Sequence, residues 1–206
     1  MALFPNVEAF ILVGGKSSRM GRDKALLELD GVPLIRRIVD LLNPLVARTT
    51  LVGEPECYAD FGMPVLADRW LEAGPLGGIA TALAAARAPW CLMLACDMPF
   101  VTNEWITFLL GEIDRLQSQS PEQVDAIIPE TARGLEPLCA LYRASCAPIL
   151  AAALDRGVRK LTDALAELST KRICESEWRR FSTDGNLFGN LNTWQDYLEA
   201  QQRAMS

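Results

Sequence analysis

Ala9-Phe10-Ile11-Leu12-Val13-Gly14-Gly15-Lys16-Ser17-Ser18-Arg19-Met20-Gly21-Arg22-Asp23-Lys24 joins a short apolar run to a glycine-rich, cationic loop. Ala9 to Val13 reads as a buried strand, because it is brief, apolar and stopped by glycine. The three glycines let the backbone turn tightly and approach a ligand, and N–H groups exposed in such a turn form an anion cradle. Between positions 16 and 24, Lys16, Arg19, Arg22 and Lys24 face only Asp23. The whole chain carries 26 acids against 20 bases, a net charge of −6, so four cations in one loop run against its overall balance. Open α/β sheets bind ligands at the C-terminal ends of their strands, which is where this loop begins. Its spacing is neither G-x-x-x-x-G-K-[ST] nor G-x-G-x-x-G. A solvated glycine loop is the plain alternative; the density of cations and glycines favours an anion site.

Working outward, short apolar runs alternate with stretches of helical period, the pattern of an α/β fold with a doubly wound, mostly parallel sheet. Asp30-Gly31-Val32-Pro33 supplies a turn and then a proline suited to the first helical position, and Leu34, Ile35, Ile38, Leu41 and Leu42 mark one face of a helix that stops before Pro44. Thr49 to Val52 and Met63 to Leu66 are predicted strands, and Leu76 to Ala86 an alanine-rich helix. Trp90 to Leu94 is apolar throughout, as a central strand should be, and ends abruptly at Cys96-Asp97-Met98-Pro99. Asn103 is placed to cap the next helix, whose inward face is Trp105, Ile106, Leu109, Ile113 and Leu116, ahead of a polar loop at Gln117 to Gln123. Ala126 to Ile128 and Cys139 to Tyr142 are further strands. Helices at Pro148 to Asp155 and Lys160 to Leu168, a strand near Arg172 to Glu175 and a last helix from Thr193 complete the reading. With no internal repeat and no long linker, residues 1–206 read as one domain.

Composition narrows the chemistry. No run approaches the roughly 18 apolar residues that span a bilayer, and the first residues lack a cationic stretch before an apolar core, so a cytoplasmic protein is expected. The acidic balance argues against nucleic acid as a partner. Six cysteines include no C-x-x-C pair, and buried thiols are the expectation. There is no histidine, which excludes Ser-His-Asp and Cys-His catalysis and every imidazole-bound metal. Any metal should be hard and oxygen-liking, such as magnesium.

The string LVGGKSSRMGRDKALL resembles the signature loop of the molybdenum cofactor guanylyltransferases, and four further elements follow in that family's order. Asp68 with Gly74-Pro75-Leu76-Gly77-Gly78 is similar to its D…GPLxG element, and Cys96-Asp97-Met98-Pro99-Phe100 to its metal loop. Glu136-Pro137-Leu138-Cys139-Ala140-Leu141-Tyr142 resembles its later strand, and Phe188-Gly189-Asn190-Leu191-Asn192-Thr193 its terminal F-x-N-x-N-T. The resemblance implies a Rossmann-like nucleotidyltransferase fold with one antiparallel strand. It also implies transfer of GMP from GTP to molybdopterin with release of pyrophosphate, dependence on Mg2+, and hand-over partners among cofactor-biosynthesis or target enzymes. Two positions depart from the family: Val13 stands where alanine is usual, narrowing the space beside the base, and Gly53-Glu54 follows the second strand where an asparagine is common.

By the same resemblance, Arg19, Lys24 and Asp97 are the catalytic residues, Asp97 as metal ligand. Lys16 and Arg19 would meet the β- and γ-phosphates, arginine through its fork and lysine as a mobile charge. Leu12, Val13 and Gly14 would set backbone against the guanine, and Gly15 and Asp68 would contact the nucleotide. Asn190 and Asn192 would face the acceptor phosphate or the metal; turn-forming asparagines are the alternative. The acceptor phosphate is already anionic near neutral pH, so no protein base is needed, in keeping with a chain that lacks histidine. Rival readings are cytidylyl transfer to the same cofactor, nucleotide transfer to another small phosphorylated acceptor, and a non-catalytic nucleotide-binding delivery protein. A nicotinamide-dependent oxidoreductase would need a different glycine spacing.

Overall fold

A computed structural model of the protein describes residues 3–13, 23–119, 124–182 and 184–204. The chain runs through β1 (Phe4–Leu12), a hairpin of β2 (Glu28–Leu29) and β3 (Val32–Pro33), α1 (Leu34–Leu42), β4 (Val46–Val52), α2 (Pro55–Tyr58), β5 (Val65–Leu66), α3 (Gly74–Ala85) and β6 (Trp90–Ala95). It continues with α4 (Asn103–Gln119), β7 (Ala126–Thr131), β8 (Gly134–Leu135), β9 (Cys139–Arg143), α5 (Ala147–Asp155), α6 (Leu161–Leu165), β10 (Thr170–Ile173), α7 (Glu175–Trp178) and α8 (Trp194–Ala204).

The strands line up in the order β10-β7-β9-β6-β1-β4-β5, with β8 paired to β7. β9 runs antiparallel to both β6 and β7, whereas β1 is parallel to β4 and β6, β4 to β5, and β7 to β10. This is the doubly wound, mostly parallel sheet expected from the sequence. From β1 the chain winds outward to β4 and β5; from β6 it winds the other way. The border of β1 and β6 is therefore the topological switch point, and the crevice beyond their C-terminal ends is where such sheets take ligands.

Side chains alternate across the sheet, as strand geometry requires. Val7, Ala9 and Ile11 join Leu92 and Leu94 under α1 and α4. Phe10, Cys91 and Met93 face the opposite side, against α3, α5 and α6. A smaller cluster of Leu27, Leu29, Leu34, Leu191 and Tyr197 fastens α8 to the β2–β3 hairpin, helped by the Tyr197 hydroxyl donating to the Glu28 carbonyl at 2.6 Å. This cluster carries the C-terminal segment back to the start of the chain.

Three local expectations need correcting. Pro33 lies one step outside α1 and pairs with Glu28 in the hairpin, whose turn residues Asp30 and Gly31 have φ of 53° and 72°; an Asp-Gly pair suits two successive left-handed positions. Thr102, not Asn103, caps α4, its hydroxyl accepting from the Trp105 N–H at 3.2 Å, while the Asn103 side chain accepts from Thr107. Four cysteines are buried as expected, but Cys57 and Cys174 are exposed, and all six are free thiols.

Candidate functional site

β1, β4 and β6 end in register, Leu12 lying beside both Val52 and Ala95. The row continues one residue further: the Cys96 N–H donates to the Leu12 carbonyl at 3.2 Å and the Val13 N–H to the Val52 carbonyl at 3.0 Å. Asp97 thus leaves the crevice end of β6 directly beside the end of β1. Of the backbone groups expected against a base, the Val13 N–H is taken by the sheet and the Leu12 carbonyl already accepts one bond.

Lys24 opens a short 3₁₀ turn that ends at Leu26 and extends its ammonium into this crevice. Its Nζ lies 3.3 Å from Asp97 Oδ2 and donates to Asn192 Oδ1 at 2.9 Å. The two charged side chains are each 20% exposed, so the pair is shielded but open to a ligand. Asn192, 168 residues from Lys24, is delivered by two further links. The Leu191 N–H donates to the Asp97 carbonyl at 3.0 Å, and Asp196 Oδ2 accepts from the N–H groups of Asn192 and Thr193 at 2.8 and 2.7 Å. Thr193 returns the favour by accepting from the Asp196 N–H at 3.1 Å, a reciprocal cap at the start of α8. Burial works to raise the Asp196 carboxyl, but these donors and the nearby Lys24 outweigh it and hold the group below the usual range. The T-x-x-D spacing of Thr193 and Asp196 was the sequence signal for this cap.

Asn190 stands one residue before this link, and its Oδ1 is buried with no hydrogen-bond partner among the described residues. Such an orphaned carbonyl is costly unless something is bound there. Asp97 Oδ2 and Asn192 Oδ1 meet at the Lys24 ammonium, and the Asn190 amide oxygen stands two residues before Asn192 along the chain; all three are oxygen donors. No group of three or more His, Cys, Asp or Glu side chains able to hold a metal exists among the described residues. One carboxylate with neutral oxygens fits Mg2+, which keeps several waters and takes the rest of its shell from substrate phosphates.

The remaining expected residues divide. Gly14, Gly15, Lys16 and Arg19 lie outside the described residues. Asp68 is half-buried, and its Oδ1 accepts from the Trp70 N–H at 3.0 Å and from the Thr81 hydroxyl at 2.8 Å. It therefore ties the loop after β5 to α3 through one oxygen, and any nucleotide contact falls to the other. In the G-P-L-G-G element, a Cβ on Gly77 would come within 2.8 Å of the Trp70 carbonyl and one on Gly78 within 2.5 Å of Leu12 Cδ2. These two glycines let α3 pack closely on that loop and on the end of β1.

The two departures from the family pattern touch each other. A Cβ on Gly53 would meet the Val13 carbonyl oxygen at 2.6 Å and Val13 Cγ2 at 2.8 Å. Val13 is 4% exposed. Its extra methyl groups are thus taken up by the bare backbone of Gly53 and by the core rather than narrowing the crevice. Two side chains escaped the sequence reading as a functional pair. The Tyr58 hydroxyl donates to Asp23 Oδ2 at 2.6 Å, while Asp23 Oδ1 accepts from the Ala25 N–H at 3.0 Å.

Comparison with known proteins gives the family and the fold. Residues 9–169 match the MobA-like NTP transferase domain. A probable molybdenum cofactor guanylyltransferase of Clostridium perfringens is 34% identical over 192 residues, which cover 92% of this chain and 93% of the relative. One of Carboxydothermus hydrogenoformans is 33% identical over 192 residues, with 93% of each chain covered. The crystal structure of molybdopterin-guanine dinucleotide biosynthesis protein A from Archaeoglobus fulgidus superposes with a TM-score of 0.81 at 28% identity, covering 96% of this chain and 98% of that one. The family match over residues 9–169 and the relatives at 33–34% identity, on a Rossmann-like sheet shared with the Archaeoglobus structure, show that the chain belongs to the MobA-like NTP transferase family of nucleotidyltransferases.

Proposed function

We propose that this enzyme transfers GMP from GTP to the phosphate of Mo-molybdopterin, releasing pyrophosphate, as a step of molybdenum cofactor biosynthesis. The observation that carries the reading is the convergence of Lys24, Asp97 and Asn192 within hydrogen-bond reach at the switch point. The choice of guanine and of the acceptor is supported by the relatives' names. Residues 1–206 act in this reading as one catalytic domain in the cytoplasm, with GTP and molybdopterin as substrates and no nucleic acid or membrane involved. Six free thiols suit a reducing compartment, and no helix among the described residues is long and apolar enough to cross a membrane.

In the transfer, an oxygen of the acceptor phosphate forms a bond to the α-phosphorus while the bond to the bridging oxygen of pyrophosphate breaks, and pyrophosphate leaves with that electron pair. The nucleophile is anionic before it binds, so the protein's work is to align two anions and offset charge on the leaving group. Lys24 supplies a fixed positive charge beside the triphosphate, joined by Lys16 and Arg19 from the same loop. Asp97 would hold Mg2+ with the amide oxygens of Asn190 and Asn192; when bound, the ion supplies Lewis-acid neutralisation of phosphate charge. Asn192, held in place by Asp196 and by the Leu191 link to Asp97, orients the acceptor side of the crevice.

Pyrophosphate release with molybdopterin and Mg2+ tests this directly, with GTP, CTP and ATP supplied in turn. Release with GTP well above the others is expected. Preference for CTP would transfer the reading to the cytidylyl reaction, and release from none would refute a transferase acting on this acceptor.

A further inference from the structure

The placement of Lys24 is built by residues that touch no ligand. A lysine side chain is long and rotationally free, so its value as a fixed charge depends on how firmly its backbone is set. Here the backbone is a three-residue 3₁₀ turn, too short to define itself. Asp23 stabilises it from one carboxylate oxygen by accepting from the Ala25 N–H. The other oxygen is occupied by the Tyr58 hydroxyl at 2.6 Å, within the short range typical of a hydroxyl on a carboxylate.

Tyr58 is well placed to act as an anchor. It is 2% exposed and ends α2, just beyond β4, packing in the same core as Val13 and Ala25. Its Cε2 lies 3.3 Å from where a Cβ on Gly53 would stand, so the ring is confined on that side. Burial first, and then the Asp23 carboxylate, push the phenol well above its ordinary range, so the hydroxyl keeps its proton and remains a donor. A continuous line of contacts therefore runs from Tyr58 through Asp23 to Lys24, and on to Asp97 and Asn192.

We propose that Tyr58 is a positioning residue for nucleotidyl transfer: its hydroxyl latches Asp23 so that the Lys24 turn stays set for the triphosphate. The proposal rests on the reading that Lys24 meets the nucleotide, and it predicts that Tyr58 acts through Lys24. Releasing the latch lowers the fraction of molecules with a competent turn, and the apparent dissociation constant rises by the inverse of that fraction.

The test is GTP affinity with Mg2+, by titration calorimetry well below the melting temperature, for Tyr58→Phe, Lys24→Met and the double variant, alongside KM values for GTP and molybdopterin. Tyr58→Phe is expected to weaken GTP binding roughly tenfold, the scale of one hydrogen bond to a charged group, and to raise KM for GTP but not for the acceptor. In the Lys24→Met background the same change should cost nothing further. Should Tyr58→Phe fold poorly, Asp23→Ser serves instead, since its hydroxyl can still accept from the Ala25 N–H while it lacks the second oxygen that Tyr58 reaches. Unchanged GTP affinity in a folded Tyr58→Phe or Asp23→Ser protein, with Lys24→Met weakened, overturns the latch alone. An equal loss in the Lys24→Met background also overturns it, because the effect would then bypass Lys24. Unchanged affinity in Lys24→Met itself overturns instead the reading on which the proposal rests.

Discussion

Replacing Gly53 by alanine probes the join between the fold and the crevice. The new methyl would sit 2.6 Å from the Val13 carbonyl oxygen, 2.8 Å from Val13 Cγ2 and 3.3 Å from Tyr58 Cε2. Comfortable carbon contacts begin near about 3.5 Å, so the two shortest approaches are too close by roughly 0.7–0.9 Å. Neither side yields easily, because the Val13 N–H is bonded to Val52 and the Gly53 N–H to the Leu66 carbonyl, each at 3.0 Å. Overpacking of this kind costs about 1–3 kcal/mol, and in a chain of this length each kcal/mol moves the melting temperature by about 2–4 °C. A fall of roughly 2–12 °C is expected. KM for GTP should rise with it, since Val13 directly precedes Gly14-Gly15, the glycine pair assigned to the nucleotide. Adding Val13→Ala removes the Cγ2 contact but leaves the carbonyl, so the double variant should recover only part of the loss. Calorimetric melting of the parent and the two variants decides the matter. A Gly53→Ala protein that melts within a degree of the parent would refute the claim that this glycine is required by close approach.

Lys24→Met should lower transfer by about 10²–10³-fold, the scale of one donor aimed at developing charge. It should cost less than about 1 kcal/mol of stability, because the pair it breaks reaches solvent; a large melting shift with intact turnover would reverse that assignment. In thiol titration of the native protein, Cys57 and Cys174 should react promptly, and Cys91, Cys96, Cys139 and Cys146 only on unfolding. Burial pushes both Cys139 and Cys146 up to about 12, and a third fast thiol would contradict the packing. Glu136 has its carboxyl raised by burial, against the lowering effect of Thr131 and Arg133. The folded state therefore holds this proton more tightly than the unfolded state, and the group's contribution to stability is lost as pH rises through its folded value. The melting temperature of Glu136→Gln minus that of the parent should accordingly grow from about pH 4 to pH 7; a constant difference would show that Glu136 is not strained there.

What could be read from the sequence was what is local in it. The run into Gly14 and the run into Asp97 each declare a buried strand and its abrupt end within a few residues, so the crevice and the carboxylate beside it were legible. β1 begins earlier than its apolar run because Pro5 and Glu8 interrupt the pattern; Glu8 is nonetheless buried, its carboxylate accepting from the N–H groups of Arg87 and Ala88. The helix cap was misplaced by one residue because Thr102 and Asn103 are both good caps, and it is the Thr102 hydroxyl that takes the Trp105 N–H. Asn192 came within reach as a motif, but its meeting with Lys24 depends on α8 docking to the hairpin through Tyr197. The Tyr58–Asp23 bond left no trace at all, since nothing in a tyrosine's neighbours announces a partner 35 residues away.

Asp97 is the residue whose proposed role is tested most directly. Pyrophosphate release by Asp97→Asn, with GTP, molybdopterin and saturating Mg2+, should fall by orders of magnitude while melting stays close to that of the parent. A well-folded Asp97→Asn enzyme that releases pyrophosphate at near the parental rate would contradict it.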